Sequence, residues 1–294
     1  MSIASFALLP ERGILAVSGP DRRSFLQGLV SNDVEKLASG HAVYAALLTP
    51  QGKYLHDFIM VEEGEAIWLD AEAARLADLK RRLSMYRLRA KVEIAELPEL
   101  GVAAVFGDGA FPALGLPDEP SVVRPFEDGV VLVDPRLSEL GARAIAERGR
   151  LARLSALGLA EAAFAAYDRH RLALGVPDGS RDLVPEKSIL LESGFDELNG
   201  VDWQKGCYIG QELTARTKYR GLIKKRLFPV RIEGAFPEPG TMVTLDGKDA
   251  GEMRSMRDGF GLALLRLEAA DANRPLSAGM AILKPLHPDW MRAE

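Results

Sequence analysis

Past residue 225 the chain changes its grammar, and that change constrains the fold more than any other feature. Short apolar runs, Leu227 to Ile232, Met242 to Leu245, Phe260 to Leu267 and Met280 to Leu283, are separated by Pro237-Glu238-Pro239-Gly240, Asp246-Gly247 and Asp258-Gly259. Strands this short, spaced this closely by turn formers, predict a small antiparallel β-barrel. The boundary before it falls near residue 223, giving a region 1–222 and a domain 223–294. A chain of 294 residues is about twice the commonest domain size, so two or three domains are expected.

The first hundred residues alternate between the two periodicities. Ile14 to Val17 is an apolar run ended by Gly19-Pro20, and Phe25, Leu26, Leu29 and Val30 then recur at helical spacing until Ser31-Asn32-Asp33. Tyr44 to Leu48 and Leu55 to Val61 read as strands joined by Thr49-Pro50-Gln51-Gly52. Leu76, Leu79, Leu83 and Tyr86 form one helical stripe with Asp70 as its cap, and Ala90, Val92 and Ile94 alternate as a strand. Val102 to Phe106 and Val130 to Val133 continue the pattern, with a polar-faced helix expected after Leu137. An Ala-rich helix is expected from about Leu159 to Leu174, stopped by Gly175. Helices among strands, with no Gly-rich phosphate loop after any of them, give an α+β class.

Composition excludes several functions. Thirty-seven basic residues against 42 acidic ones give a net charge of −5, so a positively coated nucleic-acid binder is ruled out. One cysteine forms no intrachain disulfide and supplies neither a four-cysteine zinc site nor an iron–sulfur cluster alone. The four histidines, His41, His56, His170 and His287, show no metal spacing, so no metal is assigned to this chain alone. No apolar stretch approaches the roughly 20 residues of a membrane span, and MSIASFALLPERG lacks a basic leader, so the chain reads as cytoplasmic.

One segment departs from the acidic average. From Lys205 to Arg226 there are seven basic residues, Lys205, Arg216, Lys218, Arg220, Lys224, Lys225 and Arg226, against the single acid Glu212. The only cysteine, Cys207, lies within it beside Gly206 and near Gly210. Neighbouring cations favour a thiolate, the nucleophilic and metal-binding form. The alternative is a solvated basic surface with a small buried thiol, the commoner fate of a free cysteine.

The order KGCYIGQE followed by Ala215-Arg216-Thr217-Lys218-Tyr219-Arg220-Gly221 resembles the signature of the YgfZ family. These are folate-binding proteins of iron–sulfur cluster assembly, related to the T-protein of glycine cleavage, a tetrahydrofolate-dependent aminomethyltransferase. Val17-Ser18-Gly19-Pro20-Asp21, Phe25-Leu26-Gln27-Gly28 and Ser31-Asn32-Asp33-Val34 are similar to that superfamily's opening. Leu48 to Asp57 resembles its next hairpin, and Pro237 to Gly251 the start of its barrel. The resemblance covers 14–70 and 167–294 well and 95–160 poorly. It implies a three-lobed ring of two interlocked α+β subdomains and a C-terminal barrel around a central funnel. Tetrahydrofolate or a derivative would sit in the funnel, with Lys205, Tyr208, Gln211, Glu212, Arg216 and Arg220 of the signature at its rim. A flat pterin wants stacking surfaces and a carboxylate or amide edge, and its glutamate tail wants cations. Tyr167 is the stacking candidate, with Asn32 and Asp33 as polar contacts and Glu186 and Arg171 as weaker ones. Core packing, turn formation and surface pairing are the competing roles for these residues.

At one position the chain departs from the T-protein, which carries two consecutive aspartates in the hairpin after its Gly turn, the first being catalytic. Here that pair is His56-Asp57. A cationic imidazole would repel an iminium-like intermediate that a carboxylate balances, which argues against aminomethyl transfer. The leading expectation is therefore a folate-binding accessory protein for assembly, maturation or repair of iron–sulfur enzymes. Cys207 would be its acting residue, with iron–sulfur proteins or cluster carriers as partners, and it would bind neither a membrane nor nucleic acid directly. A tetrahydrofolate-dependent one-carbon transferase is the second reading. The third is RNA contact by the basic segment in support of tRNA-modifying enzymes, weakened because only Tyr208 and Tyr219 interleave its charges.

Overall fold

The computed structural model describes residues 4–221, 223–272 and 274–291. It has a mixed α+β fold that divides into two compact units. The first comprises Met1–Leu48, Leu55–Tyr167 and Leu198–Ile209; the second comprises Thr49–Tyr54, Asp168–Glu197 and Gly210–Glu294.

Two sheets build the first unit. One has five strands in the order Val43–Leu48, Tyr54–Glu63, Ala66–Glu72, Arg12–Ser18, Glu93–Glu96. Val43–Leu48 is buried along its whole length and Tyr54–Glu63 along its first eight residues. The other has six strands in the order Ala160–Glu161, Ser5–Leu8, Leu100–Phe106, Ala142–Glu147, Gly129–Val133, Val123–Phe126. The helix Arg22–Gln27 buries Phe25 and Leu26, and the helix Leu76–Met85 buries Leu76, Leu79 and Leu83 against the core of the first sheet. Burial of this kind stabilises by roughly 1.5–3 kcal/mol for each large apolar side chain.

Several sequence expectations need correcting here. Asp70 caps no helix: it lies in the strand Ala66–Glu72, fully buried, and accepts from Arg12 Nε at 2.7 Å and Arg143 Nη1 at 2.5 Å. Arg143 also reaches Asp134 at 3.2 Å, so a chain of opposite charges links strands of the two sheets. After Leu137 there is a short 3-10 turn, Ser138–Leu140, and then the buried strand Ala142–Glu147; its alternating Ala and Arg resembled a polar helix face because Arg143 is buried by pairing. The helix expected from Leu159 begins at Phe164, after the strand Ala160–Glu161, and ends as expected before Gly175 (φ +81°). The first helix stops at Gln27, and Val30 instead forms a β-bridge to Leu47.

The second unit contains a closed barrel of six strands in the order Lys225–Glu233, Phe260–Arg266, Lys248–Arg257, Met242–Leu245, Leu276–Ala278, Ala281–Pro285. Every pairing recorded between them is antiparallel, as the turn signals require. Val230, Val243, Met253, Leu265, Leu276 and Leu283 fill its core. Two strands, Lys248–Arg257 and Leu276–Ala278, carried no apolar run long enough to be read from sequence. Beside the barrel strands, the helix Phe164–Leu174 places Arg171, 2% exposed, between Asp168 (2.8 Å) and Asp182 (2.6 Å). Arg171 is thus a buried structural ion, tied also to Ser255 Oγ at 3.1 Å, rather than a ligand contact.

Candidate functional site

The signature loop begins in the first unit as a segment stitched to residues 27–34. Ser31 Oγ donates to the Gly200 carbonyl at 2.6 Å, and the Asp202 amide donates to the Ser31 carbonyl at 3.1 Å. Asn32 Nδ2 donates to the carbonyls of Tyr44 (2.8 Å) and Asn199 (2.6 Å). Asp202 then turns the chain, its carboxylate accepting from the amides of Gln204 and Lys205 at 2.7 and 2.8 Å. Lys36 Nζ holds the other oxygen of Asp202 at 2.8 Å.

Lys205 closes this arrangement. Its ammonium donates to the carbonyl oxygens of Gln27 (2.9 Å), Val30 (2.7 Å) and Asn32 (2.6 Å), and lies 5.2 Å from the centroid of the Tyr208 ring. Three donors meet three acceptors, so the side chain has no donor left for a ligand. Burial pushes its pKa down to about 8, opposed by Asp33 and Asp202. Of the residues named from sequence, Asn32, Asp33 and Lys205 are therefore brought together, but as scaffold. Asp33 accepts from Gln27 Nε2 at 2.8 Å and caps the 3-10 turn Val34–Ser39. Tyr208 is buried. Between these two anchored side chains, Gly206 and Cys207 are exposed.

From Gly210 the motif passes to the second unit. Gly210, at φ +83°, precedes the helix Gln211–Tyr219. Gln211 is half-buried, whereas Glu212, Arg216, Tyr219 and Arg220 are exposed. Arg216 pairs with Glu212 one turn back at 2.7 Å, and Lys218 pairs with Asp196 at 2.9 Å. The turn Thr49–Tyr54 lies at the start of this helix: a Cβ on Gly52 would come within 2.8 Å of the Gly210 carbonyl oxygen and of Leu213 Cβ. Glu186 is exposed with φ +65°, and its amide donates to Tyr54 at 2.7 Å. Tyr167 is 4% exposed and tilts 54° against Phe106 at 5.6 Å, the geometry of a packed core ring.

His56, which the resemblance would set against a catalytic carboxylate, is 3% exposed with Nε2 3.0 Å from Asp78 Oδ2. Burial, aided by Arg75 and only partly offset by Asp78, pushes its pKa down to about 4, so it is neutral near pH 7. Its neighbour Asp57 is buried and accepts from Tyr44 Oη at 3.0 Å. The Arg136 guanidinium lies 5.5 Å from the Tyr44 ring centroid. Tyr44, Arg136 and Asn199 carried no motif; Asn199, at φ +56°, showed itself only as the Asn of an Asn-Gly turn.

Comparison with known proteins supplies the kinship. The iron–sulfur cluster assembly factor IBA57 of Mus musculus, named as mitochondrial, is 34% identical over 96% of this chain and 84% of its own length. The chain belongs to the IBA57 family. The human IBA57 is 34% identical with the same coverage. The C-terminal β-barrel domain of CAF17 matches residues 224–293 of this IBA57 relative. The glycine cleavage aminomethyltransferase T of Bartonella henselae shares the fold, with a TM-score of 0.76, 16% identity and coverage of 99% of this chain and 87% of that one. The mitochondrial names of the relatives overturn the cytoplasmic expectation. That expectation rested on missing leader and span signals, and such an absence names no compartment. Among the described residues no helix is long and apolar enough to cross a membrane.

Proposed function

We propose that this IBA57-family chain is a folate-binding factor that supports iron–sulfur cluster assembly, with the Cys207 thiol as its acting group. The observation that carries the reading is the contrast within one motif. Lys205 and Tyr208 are buried and held, whereas Cys207 between them is exposed. A rigid loop that presents a soft donor suits transfer or shared ligation of a cluster, which is cargo here. No group of three or more His, Cys, Asp and Glu side chains gathers for a metal among the described residues. A cluster ligated by Cys207 would therefore take its other ligands from an iron–sulfur carrier or client.

For folate the fit is partial. The Lys205 ammonium and Asn32 Nδ2 are spent on the scaffold and cannot also grip a pterin edge, whereas Asp33, half-buried, is bonded there through Oδ1. Arg216 and Arg220, exposed on the helix Gln211–Tyr219 and just after it, suit an anionic glutamate tail, and Glu186 is an exposed carboxylate in the same unit. Folate when bound would supply one-carbon chemistry; Arg216 and Arg220 would hold its charge and Gln211 a polar edge. A neutral His56 bonded to Asp78 leaves that position without the carboxylate that aminomethyl transfer needs, which supports an accessory role over the transferase reading. Deleting the gene and assaying cluster enzymes, with wild-type and Cys207→Ser complementation, tests the role. Retained cluster-enzyme activity in the deletion strain would remove it. Tetrahydrofolate at millimolar concentration should raise Tm, and less so in an Arg216→Glu/Arg220→Glu variant; no shift removes the folate half alone.

A further inference from the structure

The barrel unit holds a cavity of about 480 Å³, within the size range of small-molecule sites. Ala270, Pro275 and Pro285 form its apolar walls. Arg274, Lys284, His287 and the single acid Asp271 supply its polar lining. They converge from three places: the end of the helical turn Leu267–Ala270, the entry to the strand Leu276–Ala278, and the end of the strand Ala281–Pro285.

The imidazole of His287 is oriented from two sides. Its Nε2 lies 3.3 Å from Asp271 Oδ1, and its ring meets buried Phe228 edge-on at 5.3 Å and 63°. The acid that lines the cavity is thereby engaged with His287. The two permanent cations are paired with carboxylates that do not line it. Lys284 Nζ donates to Glu233 at 2.7 Å, and Arg274 donates to Asp246. All four of these side chains are half or more exposed, and solvent screens such pairs so that they hold only weakly. A ligand with two negative charges can therefore take both cations from their exposed partners. It would gain charge-assisted bonds and set its carbon skeleton against two rigid prolines.

We propose that this cavity is a binding site for a small organic dianion, a dicarboxylate or a phosphate monoester, held between Arg274 and Lys284. The site is distinct from the signature loop and does not depend on the folate reading. The test is calorimetric titration of the full chain with glutarate and with glycerol phosphate, using sodium chloride at matched ionic strength as the blank. At least one probe should bind saturably, and the one that does names the source. Arg274→Gln and Lys284→Gln should each weaken it about threefold to tenfold, and the double variant should lose it. The Tm response to tetrahydrofolate should be the same in the double variant and the wild type, which separates this site from the folate site. Heats indistinguishable from the chloride blank for both probes, or undiminished binding by the double variant, overturn the proposal.

Discussion

The Nζ of Lys205 donates to the main-chain carbonyl of Asn32 at 2.6 Å, bridging 173 residues of sequence. A motif lysine beside a cysteine invites an electrostatic role toward ligand or thiol, but this one is enclosed by three carbonyls and an aromatic face. Its charge is used to fix the course of the chain immediately before Cys207. The lysine thus serves the cysteine by position.

Lys205→Met should destabilise the protein by roughly 1–3 kcal/mol, because three carbonyls lose a charged donor while one desolvated ammonium is removed. Lys205→Arg should not restore it, since a planar guanidinium cannot aim at the same three oxygens. Urea unfolding measures both. A Met variant within ~0.5 kcal/mol of wild type would show that the carbonyls find water instead.

Stability should fall as pH drops from about 6.5 to about 4, with His56 as the main cause. Its folded pKa, pushed down to about 4, lies below the ordinary 6.5, so across that window the unfolded chain binds a proton that the folded one refuses. The loss is absent above the window and complete below it, and amounts to roughly 3 kcal/mol for a shift of this size. Arg82 and Arg81 hold the Asp78 carboxyl well below the usual range, so its own contribution is lost only at lower pH. His56→Gln should flatten the dependence of the urea midpoint between pH 4 and pH 6.5. An unchanged slope in that variant would exclude His56 as the source.

Gly52→Ala should cost about 1–3 kcal/mol. The residue sits at φ +71°, and its new Cβ would approach the backbone oxygen of Gly210, which cannot swing aside as a side-chain tip could. Because that oxygen belongs to the start of the signature helix, the variant should also alter near-ultraviolet signals from Tyr219 and its neighbours. Wild-type stability in this variant would mean that the turn Thr49–Tyr54 is free to move off the helix.

The barrel was legible because its turns carry Asp-Gly and Pro-Gly pairs, and the helix Leu76–Met85 because its buried leucines recur at three and four residues. Asp70, Arg143 and Arg171 were misread for one common reason. Charged residues normally mark solvent, and nothing local distinguishes an arginine that will be buried against an aspartate, whether from a distant strand, as for Arg143 with Asp70, or close in sequence, as for Arg171 with Asp168 and Asp182. Cys207 and its loop were recognisable by residue order alone. The pairing of Lys205 with carbonyls some 175 residues away was not, since its partners are backbone atoms with no sequence signature.

Cys207 should react as an exposed thiol whose loss leaves the fold intact. It is exposed, and the polar atoms that fix its loop belong to Lys205, Asp202 and the backbone rather than to the sulfur. Replacing sulfur by oxygen at an exposed site removes no core volume, so Cys207→Ser should keep the unfolding free energy measured in urea within the ~0.5 kcal/mol typical of surface changes. Iodoacetamide at pH 8 should modify the native protein at a rate within about tenfold of the urea-unfolded chain, since access is the main barrier that folding could add. The decisive comparison sets Cys207→Ser against Lys205→Met in cells lacking the gene. The first should be stable yet fail to restore cluster-enzyme activity; the second should restore it partly, because its thiol survives in a loosened loop. If the native thiol resists alkylation until urea is added, or the Ser variant complements fully, Cys207 is not the acting group.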